Sequence, residues 1–504
     1  MVAPEQNARL SEEVWVRTSA GAAASLTLLF SAAVGQAADM QDDLRSRRAA
    51  FLAALAPQTL FFHTSAPARM YSLDVDYEYR QDSDMLYLTG IDQEGTILVL
   101  VPGSRTHREF LFVTDPDPRR EHRQGHLLTK DEAAEASGIE DVLLLSEFPL
   151  FVKGLLNERP YRSFASTPSG EHDILFDALR EGTARLGFVF GHRPGPGEER
   201  PPVYAFAEEM RLSLLGAARV VDATPALWAL RQVKTPYEQG VLRKSGEISS
   251  AAHRAGLGAL RPGRFEYEVE AAIEKVYLEN GAAGWSYPSI VGSGPNATIL
   301  HYNRSTRRAE AGELMLVDAA ANYQGLTVDI TRTWPVSGRF TEVQAELWSL
   351  VLAAQDAGRK AAVAGNRTGD VERAVEESIK DGLLRVGLIT DRESQQFRTW
   401  YTHGICHWIG MDVHDVGDYR RPLEAGMAFV IEPGLYVREA GLEQLDDTAE
   451  NRAFREAVRP AVERYKGIGV RIEDSFLLTA TGLEPLSASV PRTIEDIESF
   501  MAGR

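Results

Sequence analysis

The sequence predicts an α/β amino-terminal domain followed by an α+β domain with an internal pseudo-twofold repeat. Three observations carry this expectation. Short apolar runs separated by turn residues fill residues 40 to 222; the pattern changes to long helices near residue 225; and one turn-plus-strand segment then occurs twice, as "EAGELMLVD" at 310–318 and "EAGMAFVIE" at 424–432.

Taken in order, residues 1–39 differ from the rest. After Arg17 the run "SAGAAASLTLLFSAAVGQAAD" is small and apolar, ending in the small residues that a signal peptidase reads. It reads as an export segment, which places the protein in the periplasm. Glu5, Glu12 and Glu13 against only Arg9 and Arg17 make a poor basic start, so the alternative is an over-extended gene start, with Met40 or a residue near Val16 as the true first residue and a cytoplasmic protein. No other stretch approaches the length of a membrane span.

Next, "DDLRSRRAAFLAAL" has the spacing of an amphipathic helix. The runs "TLFFHT", "MLYLTG", "GTILVLVPG", "EFLFVTD", "DVLLLSE" and "RLGFVFG" read as strands of the domain over residues 40–224, and "HRPGPGEERPP" as an exposed loop. Helices are expected at 236–258, where Pro236 suits a first turn, and at 265–280. The second domain spans 225–490, with a tail from 491 to 504. Between Tyr436 and Gly467 a charged, partly helical stretch reads as a solvated surface excursion.

In both copies of the repeat a carboxylate lies six positions after the glycine, at Asp318 and Glu432. Period-2 alternation puts Leu314, Leu316 and Asp318 on one face, and Ala428, Val430 and Glu432 on one face. Each copy has a second strand with a further acid: "LTVDITRTW" carries Asp329, and "GIGVRIEDSF" puts Arg471 and Glu473 on one face and Asp474 on the other. If the copies pack face to face, four acids converge. Crowded carboxylates repel unless protons are shared or a cation intervenes. With an imidazole added, an oxygen-rich set of this kind suits two divalent ions, Mn²⁺ best among them.

The imidazole comes from "HGICHWIGMDVHDVG", residues 403–417, which holds His403, His407, His414 and the only cysteine, Cys406. Gly404, Ile405 and Gly410 disfavour a helical zinc pair of His403 and His407, and the glutamate of such motifs is absent. Cys406 and His407 are sequence neighbours that point to opposite faces of an extended segment, which disfavours a nucleophilic pair. One cysteine excludes an internal disulfide. A formal charge of −18 argues against a nucleic-acid partner, which needs a basic face.

These stretches, with "SIVGSGPNATILHY", "IEPGLYV", "VDAAANYQGLTVDITRTWPVSGRFT" and "YRQDSDMLYLTGIDQEGTILVLV", resemble the aminopeptidase P and prolidase branch of the pita-bread-fold metallopeptidases, from about residue 40 to 485. The resemblance implies a dinuclear site. In it Asp318 and Asp329 bind one metal, Asp329 and Glu473 contact both, and His407 and Glu432 complete the second side. It also implies that His301, His403 and His414 line the substrate pocket, with Tyr436 and Arg471 as wall or supporting residues.

The activity so implied is hydrolysis, by a hydroxide held between two ions, of the bond joining an amino-terminal residue to a following proline in a peptide. Glu432 is then the proton shuttle, and His414 with His301 stabilises the oxyanion. The alternatives are a prolidase restricted to Xaa-Pro dipeptides, and a non-catalytic relative that keeps the fold to bind proteins; intact ligands disfavour the latter. Similar enzymes are homo-oligomers, dimers or tetramers. Leu86 stands where some of them have tryptophan, which leaves the pocket shape and its dependence on a neighbouring subunit open.

Overall fold

A computed structural model describes residues 40–159, 170–192, 194–195, 197–213 and 218–503. The expected export segment lies outside the described residues. The chain divides into two compact units, the second beginning at Leu227.

The first unit opens with a helix over residues 40–54. It is followed by a six-stranded sheet of β1 (Thr59–Thr64), β2 (Ile97–Leu100), β3 (Glu109–Val113), β4 (Asp141–Leu144), β5 (Ala184–Phe188) and β6 (Ala218–Asp222), in the order β4-β3-β2-β1-β5-β6. β1, β2 and β3 pair antiparallel and the outer pairs are parallel. Phe62, Phe112, Phe148, Phe188 and Phe206 pack their rings in the core beneath it.

One expectation fails here, and one strand goes unforeseen. "MLYLTG" belongs to a helix, Ser83–Thr89, because the Asp82 side chain accepts from the Asp84 and Met85 backbone N–H groups at its start and Gly90 closes it at φ 68°. A short apolar run has no period of its own, so the caps decide. Strand β6 has no expectation to match, its run "ARVVD" being too short and polar to stand out.

In the second unit α1 (Pro236–Ala259) and α2 (Glu266–Glu279) precede the antiparallel sheet β7 (Ile290–Ser293), β8 (Leu314–Asp318), β9 (Thr331–Pro335). Thr235 caps α1 in a reciprocal box with Glu238. The pattern then recurs. Helices α3 (Glu342–Ala361) and α4 (Thr368–Arg385) precede β10 (Ala428–Ile431), β11 (Gly434–Tyr436), β12 (Gly469–Arg471), β13 (Asp474–Thr479) and β14 (Gly482–Pro485). β13 lies between β10 and β14, and β11 pairs with β12. The glycines that open the repeated turns, Gly312 and Gly426, have φ of 87° and 95°. Only a residue without Cβ adopts that conformation without strain, which explains the repeated "EAG".

One large core runs through both halves and takes in Ile497 and Met501 of the last helix, Ile494–Ala502. The charged stretch after Tyr436 is more than a solvated excursion. Its helix Ala449–Tyr465 buries Phe454, Val458, Val462 and Tyr465 in that same core, at the helical spacing that the surrounding charges conceal.

Candidate metal centre

At the site the two halves are joined by a β-bridge between Thr331 and Glu473. The Thr331 N–H donates to the Glu473 carbonyl at 3.3 Å and the reverse bond is 3.0 Å. This contact brings the ends of β9 and β13 side by side, and the acids with them. Asp318 closes β8, and Glu432 follows the last residue of β10.

Neither Asp329 nor Glu473 lies inside a regular strand as the alternation predicts. The run "LTVDITRTW" breaks between Thr327 and Thr331, because the Asp329 N–H donates to Ser475 Oγ at 2.7 Å while that hydroxyl donates back to the Asp329 carbonyl at 2.8 Å. These side-chain bonds replace rungs of a ladder, and the local kink turns the Asp329 carboxylate toward the other half. "GVRIED" breaks likewise at Ile472, whose N–H goes to the Pro433 carbonyl.

His407 sits in an irregular segment held along β10: its carbonyl accepts from the Val430 N–H at 3.0 Å, and the Glu432 N–H donates to the Ile405 carbonyl at 3.0 Å. Its Nδ1 donates to the Trp408 carbonyl at 3.1 Å, so the lone pair is on Nε2. That nitrogen faces Asp329 Oδ2 at 3.6 Å, Glu432 Oε1 at 3.6 Å and Glu473 Oε1 at 3.8 Å. Ligand atoms of Asp329, His407 and Glu473 all lie within 4.8 Å of one another, and all three residues are buried.

Electrostatics make this arrangement costly without a cation. Burial, then the charges of Glu473 and Asp318, raise Asp329 well above the ordinary carboxylate range; burial and Glu473 do the same to Glu432. Burial and Asp318 push Glu473 up to about 8. Burial and the adjacent His414 hold His407 down at about 3, so its ring stays neutral. Glu473 Oε2 accepts from the Thr331 hydroxyl at 2.7 Å, but its buried Oε1 has no donor among the described residues. An orphaned carboxylate oxygen facing an imidazole lone pair at 3.8 Å fits a metal ion.

Asp318 joins the cluster through its partners. Its Oδ1 accepts from the Tyr287 hydroxyl at 2.7 Å, its Oδ2 from Arg471 Nη2, and the same Tyr287 hydroxyl lies 2.5 Å from Asp329 Oδ1. Arg471 also donates from Nε to Thr331 Oγ1 at 3.0 Å and from Nη1 to the Tyr436 oxygen at 2.9 Å. Tyr436 in turn donates to His403 Nε2 at 2.9 Å, and His403 Nδ1 bonds the Gly404 carbonyl at 2.7 Å, 3.4 Å from Glu432 Oε2. Arg471 is thus buried and wholly engaged with its neighbours. His414 is exposed and stacks on His407 with ring centroids 3.9 Å apart; His301 is exposed nearby, and its charge helps to lower His403 and His414.

Tyr287 and Thr331 are residues that the sequence reading misses. Tyr287 lies three positions before Ile290, the β7 partner of Asp318, and a tyrosine outside any acidic or histidine motif carries no local signal of that proximity. The two aspartates of the 403–417 stretch are not part of the cluster. Buried Asp415 pairs with Arg231 at 2.5 Å and Lys234 at 2.6 Å, and Asp412 pairs with Arg231 at 3.0 Å, which anchors the histidine segment to the start of the unit. Cys406 is buried, and burial raises its thiol well above the ordinary value, so no thiolate is available as a nucleophile.

Comparison with known proteins gives a consistent picture. The sequence pattern of metallopeptidase family M24 matches residues 240–480, and that of the aminopeptidase P N-terminal domain matches residues 44–163. The chain is 33% identical to the Xaa-Pro aminopeptidase of Escherichia coli strain K12, covering 92% of this chain and 98% of that protein. It is 29% identical to human Xaa-Pro aminopeptidase 3, over 86% and 79% of the two lengths. Its fold superposes on aminopeptidase PepP of Pseudomonas aeruginosa with a TM-score of 0.75 at 31% identity, covering 92% and 98% of the two chains.

Proposed function

The chain belongs to metallopeptidase family M24, in its aminopeptidase P branch, and on that premise we propose which residues perform its reaction. The enzyme is a metal-dependent aminopeptidase that hydrolyses the bond between an amino-terminal residue and a following proline. The observation that carries the residue assignment is the buried cluster of Asp329, His407 and Glu473, with Glu473 Oε1 lacking a donor among the described residues.

Asp318 and Asp329 would hold one divalent ion and His407 and Glu432 a second, with Glu473 contributing to the pair. Bound there, the two cations would supply an acidified water and a Lewis acid for the scissile carbonyl. An oxygen-rich donor set with one imidazole fits Mn²⁺. Glu432, buried beside Glu473, is the group to take a proton from the attacking water and deliver it to the proline nitrogen, which has no hydrogen of its own. Partial desolvation where the His414 ring stacks on His407, together with His301, lowers its pKa and favours the neutral ring, so it presents one N–H to the carbonyl oxygen, with His301 beside it. The Arg471–Tyr436–His403 chain fixes the wall against which the substrate lies, and the free amino terminus sits by the acids.

Hydrolysis of Ala-Pro-Ala, Ala-Pro and Ala-Ala-Ala by Mn²⁺-loaded and chelator-treated protein tests this reading. Chelator-sensitive release of alanine from Ala-Pro-Ala, with little from Ala-Ala-Ala, is expected. Cleavage of Ala-Pro alone would make the enzyme a prolidase, and inactivity on every peptide despite bound metal would refute the assignment.

The exposed apolar side chains Met70, Tyr71, Leu73, Val75 and Tyr77 of the first unit support assembly as a homo-oligomer, a dimer or tetramer, which light scattering would test. No described helix is long and apolar enough to cross a membrane. The apolar run before residue 39 supports export, for which the mature amino terminus, read by mass spectrometry, should lie close to that residue.

A further inference from the structure

A cavity of roughly 410 Å³ opens beside Tyr436, where that residue meets the 298–300 segment leading to His301. Its walls include Leu300, Gln395, Arg398, Tyr436, Arg438 and Gln444, and no acidic side chain lines it. In a chain of net charge −18, a cavity adjoining an acidic metal centre that carries only cationic charge needs an account.

The two arginines differ. Arg398 spreads its guanidinium over the Phe397 ring at 4.6 Å and bonds Glu376 through Nη2, so its charge is already partly matched. Arg438 is half-buried, and its guanidinium has no hydrogen-bond or ion-pair partner among the described residues. Glu439, next to it, leans toward Lys466 at 4.0 Å and is not part of the cavity wall. The floor is fixed, because the short helix Glu439–Glu443 and its end are tied down by Arg455, which donates to the Leu442 carbonyl at 3.0 Å and to that of Leu445. A half-buried and unmatched guanidinium carried on a fixed backbone is suited to a bidentate carboxylate.

We propose that Arg438, assisted by Arg398, binds a carboxylate carried by the residues that follow proline in the substrate, and so makes the enzyme prefer peptides with negative charge on that side. The inference rests on the Xaa-Pro aminopeptidase reading. It covers two sources of the same group, the terminal carboxylate of a short peptide and an acidic side chain.

The test compares kcat/KM of Mn²⁺-loaded enzyme for Ala-Pro-Ala, Ala-Pro-Ala-amide, Ala-Pro-Glu-amide and Ala-Pro-Gln-amide. A charge-assisted pair at a partly buried site corresponds to about a tenfold preference. The first pair of peptides reads the terminal carboxylate and the second pair the side chain; a preference in either supports the inference and identifies the source. In Arg438→Gln each ratio, taken within one preparation and so independent of the active fraction, should fall toward one, and Arg438→Lys should restore part of it. Equal rates on all four peptides by the unmodified enzyme, or an unchanged ratio in Arg438→Gln, would overturn the inference while leaving the aminopeptidase reading intact. Inactivity on all four would overturn both.

Discussion

Replacing Glu473 with glutamine should stabilise the metal-free protein and at the same time remove its response to divalent metal. In the absence of metal, burial and then the charge of Asp318 push Glu473 from 4.5 to about 8. A carboxyl whose folded pKa is raised binds its proton more tightly folded than unfolded, so between those two values stability falls as pH rises. At pH 7 the unfolded carboxyl is ionised and the folded one is not, a difference of about 3 kcal/mol. Glutamine carries no charge and still accepts the Thr331 hydroxyl bond, so it keeps the local geometry and loses that cost. A shift on the order of 5–10 °C in the unfolding temperature follows for a unit of this size.

The assay is thermal unfolding of chelator-treated protein by circular dichroism at pH 5 and pH 8, with and without Mn²⁺. The two metal-free proteins should converge at pH 5, and the variant should unfold at the higher temperature at pH 8. Mn²⁺ should then raise the midpoint of the unmodified protein by mass action and leave the variant nearly unmoved, because Oε1 is the oxygen that awaits the ion. A variant less stable than the parent at pH 8 without metal, or one with the full Mn²⁺ response, would refute the reasoning.

Three further outcomes are expected. Tyr287→Phe removes the hydroxyl that bonds Asp318 and Asp329 and should weaken metal affinity by about 10–100-fold, measured by titration calorimetry, with the fold intact by circular dichroism. Asp415→Asn leaves the buried Arg231 and Lys234 without their shared carboxylate and should cost about 3 kcal/mol or more of stability in urea, even though Asp415 is not part of the metal cluster. His253, buried and held down at about 4 with its Nε2 bonded to the Ala319 carbonyl at 2.9 Å, takes up its proton more readily unfolded than folded. Its contribution is therefore complete above pH 6.5 and is lost as pH falls to 4, by about 3 kcal/mol. His253→Gln should unfold with a shallower dependence of the urea midpoint on pH over that window than the unmodified protein shows.

The helix α1, with Pro236 and its Thr235–Glu238 cap, and the strands whose apolar residues alternate between clear turns were legible from local pattern alone, because each of those signals acts within a few residues. So was the duplication: "EAG" twice, with an acid six positions after each glycine, is a local conformation written twice, and the positive φ at Gly312 and Gly426 is its cause. The residue types of the metal centre followed from the same repeat, whereas the choice of His407 among three histidines came from the resemblance.

What remained depended on contacts between segments far apart in the chain. "MLYLTG" became a helix through its caps. Asp329 left its strand because Ser475, 146 residues away, takes its backbone bonds. Tyr287 reached the acids through the pairing of β7 with β8. The excursion after Tyr436 folded its apolar face into the core and left Arg438 facing a cavity. Sequence alone determines the groups that can form a site, since period and turn chemistry are local; tertiary structure decides which of them meet and how their charges are matched, because burial and Coulomb interactions depend on distance in space and not along the chain.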